Sequence, residues 1–185
     1  MTTHPDEVRL LDAAEELYYA RGFQGVGMDA LRERSGLPLK RIYTLYPGKE
    51  DIAVAMLDRR DDRWHAALAE YVAREGDPAN RVAALFDWLA EWLGGEGYRG
   101  CAWINAFGEM GGTSVAITDA VRRHKGRLRD YLGVIVAGTG VAADVTDDIF
   151  LLVEGSLVTA GIEGHPSAAH RAQAAAARLL GVKQA

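Results

Sequence analysis

The amino-acid sequence predicts an all-α fold, and two features of its pattern support this prediction. Apolar residues recur with the 3.6-residue period of a helix in nearly every segment of the 185-residue chain. Glycines, alone or in pairs, separate these segments and stop each periodic run. No alternation of apolar and polar residues lasts long enough to predict a β-strand, so we expect helices joined by short loops.

The composition is that of an ordinary globular protein. Hydrophobic residues make up 49% of the chain, which is long enough for one large or two small domains. The longest nearly uncharged apolar stretches, 131–143 and 149–162, are shorter than the roughly 18 residues that a membrane span requires. The N-terminus lacks the basic and then apolar order of a secretory signal, and the single Cys101 cannot form an internal disulfide. We therefore expect a cytoplasmic protein without a membrane partner.

Three helices are predicted before residue 49. The first begins at a capping motif, Thr3-x-x-Asp6, and stops at Gly22. Two shorter helices follow within 28–49 and are joined by a turn that starts at Gly36. Two short helices around a tight turn form a helix-turn-helix, whose second helix fits the major groove of DNA.

The charge distribution supports a DNA contact by this segment. Five of the six charged residues from Arg32 to Lys49 are basic, whereas the whole chain has a formal net charge of −5. Opposite charges balance over residues 1–49, so the remaining chain carries the acidic excess. A local positive field attracts the DNA backbone, and an acidic remainder disfavours binding through any other face.

The rest of the chain also predicts helices. A long one runs from Lys49 towards Gly76 and is suited to join two lobes. Five more are expected: one opened by Asp77-Pro78 and stopped at Gly94-Gly95, one around 101–109, one between Ser114 and Gly138, one from about 144 to 162, and one from 167 to 180.

Three N-terminal motifs stand in a specific spacing: GFQGVGMDAL at 22–31, SGL at 35–37 and IYTLYPGKEDI at 42–52. Together they resemble, without gaps, the N-terminal DNA-binding domain of the TetR family of one-component regulators. Looser similarity to the effector domain of a common branch of that family continues through 99–106, 121–125 and 152–158.

The resemblance implies an all-α homodimer with an N-terminal three-helix helix-turn-helix DNA-binding domain over 1–48. A C-terminal helical ligand-binding and dimerisation domain would occupy 49–185. The expected partners are double-stranded operator DNA, a second copy of the chain and an unknown small-molecule effector. The usual role in the family is that of a repressor, so we expect ligand-responsive control of a palindromic operator.

The resemblance also implies which residues contact DNA. Many family members have a small Gly-Thr pair where this chain has Lys40-Arg41, so two long cations replace small residues. These two side chains either contact guanine edges or neutralise phosphates, and both interpretations stay open. Tyr46 is expected to pack against the first helix. The predicted DNA-binding residues are Leu39, Lys40, Arg41, Tyr43, Thr44, Leu45 and Lys49.

Aromatic and other large apolar residues are concentrated within 86–110, where they form either plain core or the lining of an apolar effector cavity. The resemblance favours a cavity with a few polar anchors, among which Glu109 is a further candidate. The predicted ligand-binding residues are Phe86, Trp88, Leu89, Trp92, Trp103, Asn105, Phe107, Met110 and His124.

A stripe on the predicted 144–162 helix has two interpretations, internal packing or a two-fold four-helix interface, and the resemblance favours the interface. A single helix-turn-helix covers few base pairs, so a dimer that pairs half-sites meets a physical need. The predicted interface residues are Ile149, Leu152, Val153, Ser156, Leu157 and Ala160.

Cys101 is either inert packing or a redox or electrophile sensor whose thiol pKa Arg99 would lower. The five histidines are too scattered in sequence to predict a metal site, and no catalytic arrangement or cofactor motif is apparent. The rival interpretation is a small all-helical enzyme or ligand carrier in which 28–49 is only a basic helical hairpin without specific DNA binding.

Overall fold

A computed structural model describes residues 4–95 and 98–182, and over these ranges the chain forms nine α-helices and no β-strand. The predicted all-α class is therefore confirmed. The helices are α1 (Pro5–Arg21), α2 (Met28–Ser35), α3 (Leu39–Leu45), α4 (Lys49–Val72), α5 (Pro78–Leu93), α6 (Ala102–Met110), α7 (Val115–Ala137), α8 (Val145–Glu163) and α9 (Ser167–Leu179).

Local capping chemistry determines where several of these helices begin. The predicted cap Thr3 lies outside the described residues, and His4 caps α1 through its Nδ1, which accepts the Asp6 N–H at 3.1 Å. The Asp77 carboxylate accepts the first free N–H groups of α5, with Pro78 next to it, as the sequence predicts. Ser114 Oγ accepts the Ile117 N–H at 3.0 Å at the start of α7.

The chain divides into two compact units. One, called here the N-terminal unit, combines Met1–Asp62 with Ala102–His124, and the other, the C-terminal unit, combines Arg63–Cys101 with Lys125–Ala185. The divisions fall inside α4 and α7, so both helices contribute residues to both units. No helix in the described part of the chain is long and apolar enough to span a bilayer.

The core of the N-terminal unit is built from one apolar face of each of its first four helices. Leu10 on α1, Leu31 on α2, Ile42 on α3 and Ile52 on α4 are completely buried. Full burial of such a side chain contributes about 1.5–3 kcal/mol, so these contacts hold the short helices α2 and α3, which would not be stable in isolation.

Small residues let the helices of the C-terminal unit approach closely. A Cβ added at Gly161 of α8 would lie 3.0 Å from the Gly100 Cα, closer than atoms normally pack. On α9, Ala169, Ala172 and Ala176 are buried, and Gln173 donates from Nε2 to the Ala83 carbonyl of α5 at 2.9 Å. The alanine-rich sequence of α9 therefore serves close packing in this unit.

Candidate nucleic-acid interface

The turn between α2 and α3 is determined by a few local contacts. Gly36 ends α2 in the left-handed conformation, with φ of 67°, which a glycine adopts without steric cost. The Leu37 N–H donates to Ser35 Oγ at 3.3 Å, and Pro38, with φ of −62°, is the N-cap of α3. Arg9 of α1 donates to the Ser35 carbonyl at 2.8 Å. Two short helices are thus held around a tight turn, which is the geometry of a helix-turn-helix.

Helix α3 has one buried face and one exposed face. Ile42 is fully buried, whereas Lys40, Tyr43 and Thr44 are exposed at the i, i+3, i+4 spacing that places side chains together on a helix. Tyr43 is 51% exposed although it is aromatic. The three residues form what we call the recognition face. They are also the predicted DNA-binding residues with the greatest exposure, while Leu39 and Leu45 are half-buried at its margins.

Arg41 lies beside the recognition face and is held by the start of α1. Its Nε donates to Asp6 Oδ2 at 2.7 Å, and its Nη2 lies 3.1 Å from His4 Nδ1 and 3.0 Å from His4 Nε2. The hydrogen bond from Arg41 lowers the pKa of the Asp6 carboxyl. Of the two cations that replace small residues, Arg41 is therefore engaged, whereas Lys40 is exposed and forms no ion pair with any residue the structure describes.

Acidic partners neutralise part of the positive patch that the sequence suggested. Arg32 pairs with Asp29 at 3.5 Å within α2, and Arg34 of α2 pairs with Glu16 of α1. A count from Arg32 to Lys49 misses these pairs, because Asp29 precedes the counted residues and Glu16 and Asp6 come from α1. The field at the interface is therefore more focused on Lys40 than the sequence indicates.

Lys49, the first residue of α4, is tied to the loop between α1 and α2. Its Nζ donates to the Gln24 carbonyl at 3.2 Å, and burial lowers its pKa while the nearby Glu109 charge opposes that shift. The Gln24 N–H donates to Glu109 Oε2 at 2.9 Å. No local pattern links Gln24 to Glu109, which the sequence suggested only as an effector contact, because the two residues are 85 positions apart.

Helix α1 is braced against both α3 and α4. The Tyr46 hydroxyl donates to Glu7 Oε1 at 2.6 Å, which confirms the predicted packing of Tyr46 on the first helix. Burial and then the Glu7 hydrogen bond raise the Tyr46 pKa. On the other side, Arg60 of α4 donates to Glu15 at 2.5 Å. Polar contacts thus orient the helix-turn-helix on α1.

Five of the predicted ligand-binding residues belong to the N-terminal unit. The rings of Trp103 and His124, both buried, stack with centroids 3.5 Å apart. His124 Nδ1 lies 2.5 Å from Asp61 Oδ1, so the ring is oriented by a carboxylate as well as by stacking. Asn105 and Met110 are half-buried, and Phe107 is 52% exposed.

The other four belong to the C-terminal unit. Phe86 and Leu89 are buried in its core. Trp88 and Trp92 are half-buried, and their indole rings stack with centroids 6.2 Å apart. Trp64 lies edge-on to both of these indoles, and Tyr98 lies edge-on to Trp92. Trp64 and Tyr98 are not among the predicted ligand-binding residues, because α4 and the segment after α5 meet this aromatic cluster only in the folded unit.

The predicted interface stripe on α8 mostly faces its own unit. Ile149, Val153, Ser156, Leu157 and Ala160 are buried, and Leu152 is half-buried. Adjacent large apolar side chains are exposed instead: Leu151 by 65%, Val158 by 43% and Ile162 by 81%. An open cleft of about 450 Å³ lies between α8 and α9 and includes Leu151, Leu152 and Ser156 in its lining.

Cys101 is buried and contacts a cation other than the one that the sequence suggested. Lys125 Nζ lies 3.8 Å from the sulfur and is paired with Glu154 at 2.8 Å. The thiol is thus enclosed in the C-terminal unit beside an ammonium that already has a carboxylate partner.

A helix-turn-helix whose second helix exposes a lysine, a tyrosine and a threonine defines a DNA-binding domain. Residues 10–56 match the family described as bacterial regulatory proteins, tetR family. The N-terminal helices of this chain therefore match the DNA-binding domain of TetR-family regulators, whose members generally bind DNA.

Two relatives with known roles align with slightly less than half of the chain. The transcriptional repressor NemR of Escherichia coli is 33% identical over 86 residues, which are 46% of this chain and 43% of NemR. The transcriptional activator FasR of Mycolicibacterium smegmatis is 28% identical over 95 residues, 49% of this chain and 42% of FasR. The chain thus spans less than half the length of the relatives it matches.

Solved structures share the fold over nearly the whole chain. A TetR-family regulator from Streptomyces coelicolor has a TM-score of 0.88 at 21% identity, covering 95% of this chain and 94% of that one. The reduced form of E. coli NemR has a TM-score of 0.85 at 22% identity, covering 95% and 96%. At these identities the similarity establishes the fold alone.

Proposed function

We propose that this chain is a ligand-responsive, homodimeric transcriptional regulator, released as a repressor from a palindromic operator by a small-molecule effector. The observation that carries the proposal is the recognition face, because α3 buries Ile42 and leaves Lys40, Tyr43 and Thr44 exposed. The repressor sign is supported by NemR, although FasR is an activator. We place the DNA-binding domain at 1–48 and the effector and dimerisation domain at 49–185.

Each residue of the recognition face has a chemical role in this proposal. Lys40 supplies the exposed cation that contacts a phosphate or a guanine edge. Tyr43 offers a hydroxyl to the backbone and an aromatic surface to base edges. The Thr44 hydroxyl donates to the Lys40 carbonyl at 2.8 Å, so its exposed methyl group is suited to an apolar contact such as the thymine methyl. Leu39, Leu45 and Lys49 would complete the contact around this face.

We propose that two copies associate through α8 and α9. Exposed Leu151, Val158 and Ile162 and the open cleft beside them provide an apolar surface on this side of the C-terminal unit. Contiguous exposed apolar surface is typical of protein interfaces. The buried residues of the α8 stripe would then pack beneath the interface without touching the second copy. Leu152, which lines the cleft, is the predicted interface residue best placed to contact it directly.

An apolar effector is the ligand class that the aromatic residues favour. The half-buried indoles of Trp88 and Trp92 offer stacking surface in the C-terminal unit, whereas Trp103 and His124 are buried against each other in the N-terminal unit. Effector binding would shift the population of dimers towards a spacing of recognition helices that no longer fits successive major grooves. Helix α4, which begins at Lys49 and has residues in both units, would carry this change.

Selection of bound fragments from a random duplex library, at near-physiological salt, tests the proposal. We expect a palindrome to be enriched by the wild-type protein. Lys40→Ala should then weaken binding to that operator about tenfold without changing helicity or dimerisation. Arg74→Ala, which removes an exposed cation in the C-terminal unit, is the matched control and should change affinity less than about twofold.

A folded dimer that enriches no sequence would contradict the proposal. Turnover of a metabolite, or tight ligand binding together with weak and sequence-independent DNA affinity, would instead support the small helical enzyme or carrier. Salt dependence separates the two cases, because both bind DNA more weakly as salt rises but only a regulator retains a sequence preference.

A further inference from the structure

We propose that Asp6, in the first turn of α1, is a positioning residue for operator selection. By holding the Arg41 guanidinium beside the recognition face, Asp6 restricts Arg41 to one orientation and withholds its charge from arbitrary DNA. The inference rests on the proposed DNA-binding function. It adds a residue from outside the helix-turn-helix to those that determine sequence preference.

The geometry restrains Arg41 at two of its three guanidinium nitrogens. Nε donates to Asp6 Oδ2 at 2.7 Å, and Nη2 lies against the His4 ring. Nη1 has no hydrogen-bond partner among the residues that the structure describes. The Arg41 side chain is 32% exposed, so DNA can approach it while the ion pair is intact. A planar guanidinium fixed on one side presents its remaining donors in a single direction.

His4 and Asp6 are themselves held in place by α1. His4 accepts the Asp6 N–H as the helix cap, and Asp6 Oδ1 lies 3.9 Å from Arg9 of the next turn. Arg9 in turn donates to the Ser35 carbonyl in the helix-turn-helix. The start of α1 and the start of α3 are therefore linked by a connected set of polar contacts rather than by one isolated ion pair.

The physical consequence is a difference between correct and incorrect DNA. A free arginine on a DNA-facing helix pairs with any phosphate and so raises sequence-independent affinity. With Asp6 in place, a phosphate near Arg41 also meets the carboxylate, which repels it. A base edge that accepts from the fixed donors is bound with little loss of side-chain entropy. Asp6 should therefore weaken binding to arbitrary DNA more than binding to the operator.

The chain offers a matched comparison in the pair of Glu16 and Arg34. This pair also joins a carboxylate of α1 to an arginine of the helix-turn-helix, but Arg34 lies on α2 rather than on α3. Glu16→Ala therefore releases the charge of one arginine without releasing an arginine of α3.

A double-mutant cycle tests the proposal with Asp6→Ala, Arg41→Ala and both together. Affinities for the selected operator and for a scrambled duplex are measured over a range of salt. We expect Asp6→Ala to raise affinity for the scrambled duplex, steepen the salt dependence by about 0.9 in log–log slope, and lower the operator-to-scrambled ratio about tenfold. In the Arg41→Ala background, Asp6→Ala should leave that ratio unchanged, and so should Glu16→Ala in the wild-type background.

A purely structural role of Asp6 predicts different results. Loss of a favourable carboxylate in the first turn of α1 would act equally with and without Arg41 and would lower both affinities together. A ratio unchanged by Asp6→Ala, or a loss that persists without Arg41, therefore overturns the inference. Should Asp6→Ala lower helicity, Asp6→Asn retains an acceptor for Nε and gives the same test of charge.

The wild-type arm keeps the two proposals separate. A wild-type protein without sequence preference overturns both the proposed function and this inference. A wild-type protein that selects a palindrome, combined with an Asp6→Ala variant of equal selectivity, overturns the inference about Asp6 alone.

Discussion

The N-terminal and C-terminal units hold their helices together by different chemistry. In the N-terminal unit, directional polar contacts from α1 reach α3 and α4, among them Asp6 with Arg41 and Glu15 with Arg60. In the C-terminal unit, three indoles pack against one another and Gly161 lies directly over Gly100. Directional contacts specify the orientation of a helix, whereas apolar and small-residue contacts mainly set how closely helices approach.

The two kinds of contact affect different properties of the protein: its stability and the arrangement of its side chains. Exposed ion pairs typically contribute only about 0–1 kcal/mol each, so the polar contacts of α1 add little to the free energy of unfolding. Their effect is to hold the side chains around α3 in one arrangement. Buried apolar surface supplies the stability of both units, at about 25 cal/mol for each Å² removed from water.

The largest expected change in stability comes from removing buried apolar surface, on which both units depend. Leu31→Ala removes a fully buried side chain of α2, and we expect the free energy of unfolding to fall by about 2–5 kcal/mol in urea titrations. Val115→Ala in the same unit, at a position that is 77% exposed, should change it by less than about 0.5 kcal/mol. A small loss for Leu31→Ala would mean that polar contacts rather than burial hold α2 in place.

An intermediate effect is expected from close packing in the C-terminal unit. Gly161→Ala places a Cβ 3.0 Å from the Gly100 Cα, a backbone atom that cannot rotate away, so we expect a loss of about 1–2 kcal/mol. Gly126→Ala on α7 meets no atom within 4 Å and should stabilise by about 0.5–1 kcal/mol through helix propensity. Thermal unfolding of the two variants measures the sign of each change in stability. Equal shifts in Tm would show that the close approach of α8 to Gly100 is not required.

The smallest effect concerns one polar contact of α1. Tyr46→Phe removes the hydrogen bond to Glu7, and we expect a loss of about 1 kcal/mol near neutral pH. Because the pKa of folded Tyr46 is raised, its contribution is complete below the ordinary tyrosine pKa of about 10 and is lost as pH rises through the folded value. The stability advantage of the wild type over the variant should therefore shrink as the pH rises above about 10. A constant difference would assign the effect to packing alone.

Much of the fold followed from local sequence patterns. The Asp77-Pro78 start of α5 and the Gly36 stop of α2 lie where the sequence predicts them, because caps act on backbone groups within one helical turn. The exposure of Tyr43 and the packing of Tyr46 on α1 followed from helical spacing and from the family resemblance.

Other features of the site depend on residues that are distant in sequence. The partner of Arg41 is 35 positions away, and the partner of Gln24 is 85 positions away. No periodicity links such pairs, and charge counted along the chain overstates the field near α3 because carboxylates of α1 lie outside the counted segment. The buried stripe of α8 likewise differs from its exposed neighbours only through the packing of the C-terminal unit.

The sequence by itself determined the helices, their ends and the helix-turn-helix, since these depend on hydrogen bonds and side chains a few residues apart. The tertiary structure alone decided that Lys40 stays free of described acidic partners while Arg41 is held by Asp6. Which of these two cations meets a carboxylate depends on how α1 packs against α3, and no local sequence pattern specifies that packing. Burial of apolar residues fixes this packing, and the ionic contacts form where it brings opposite charges together.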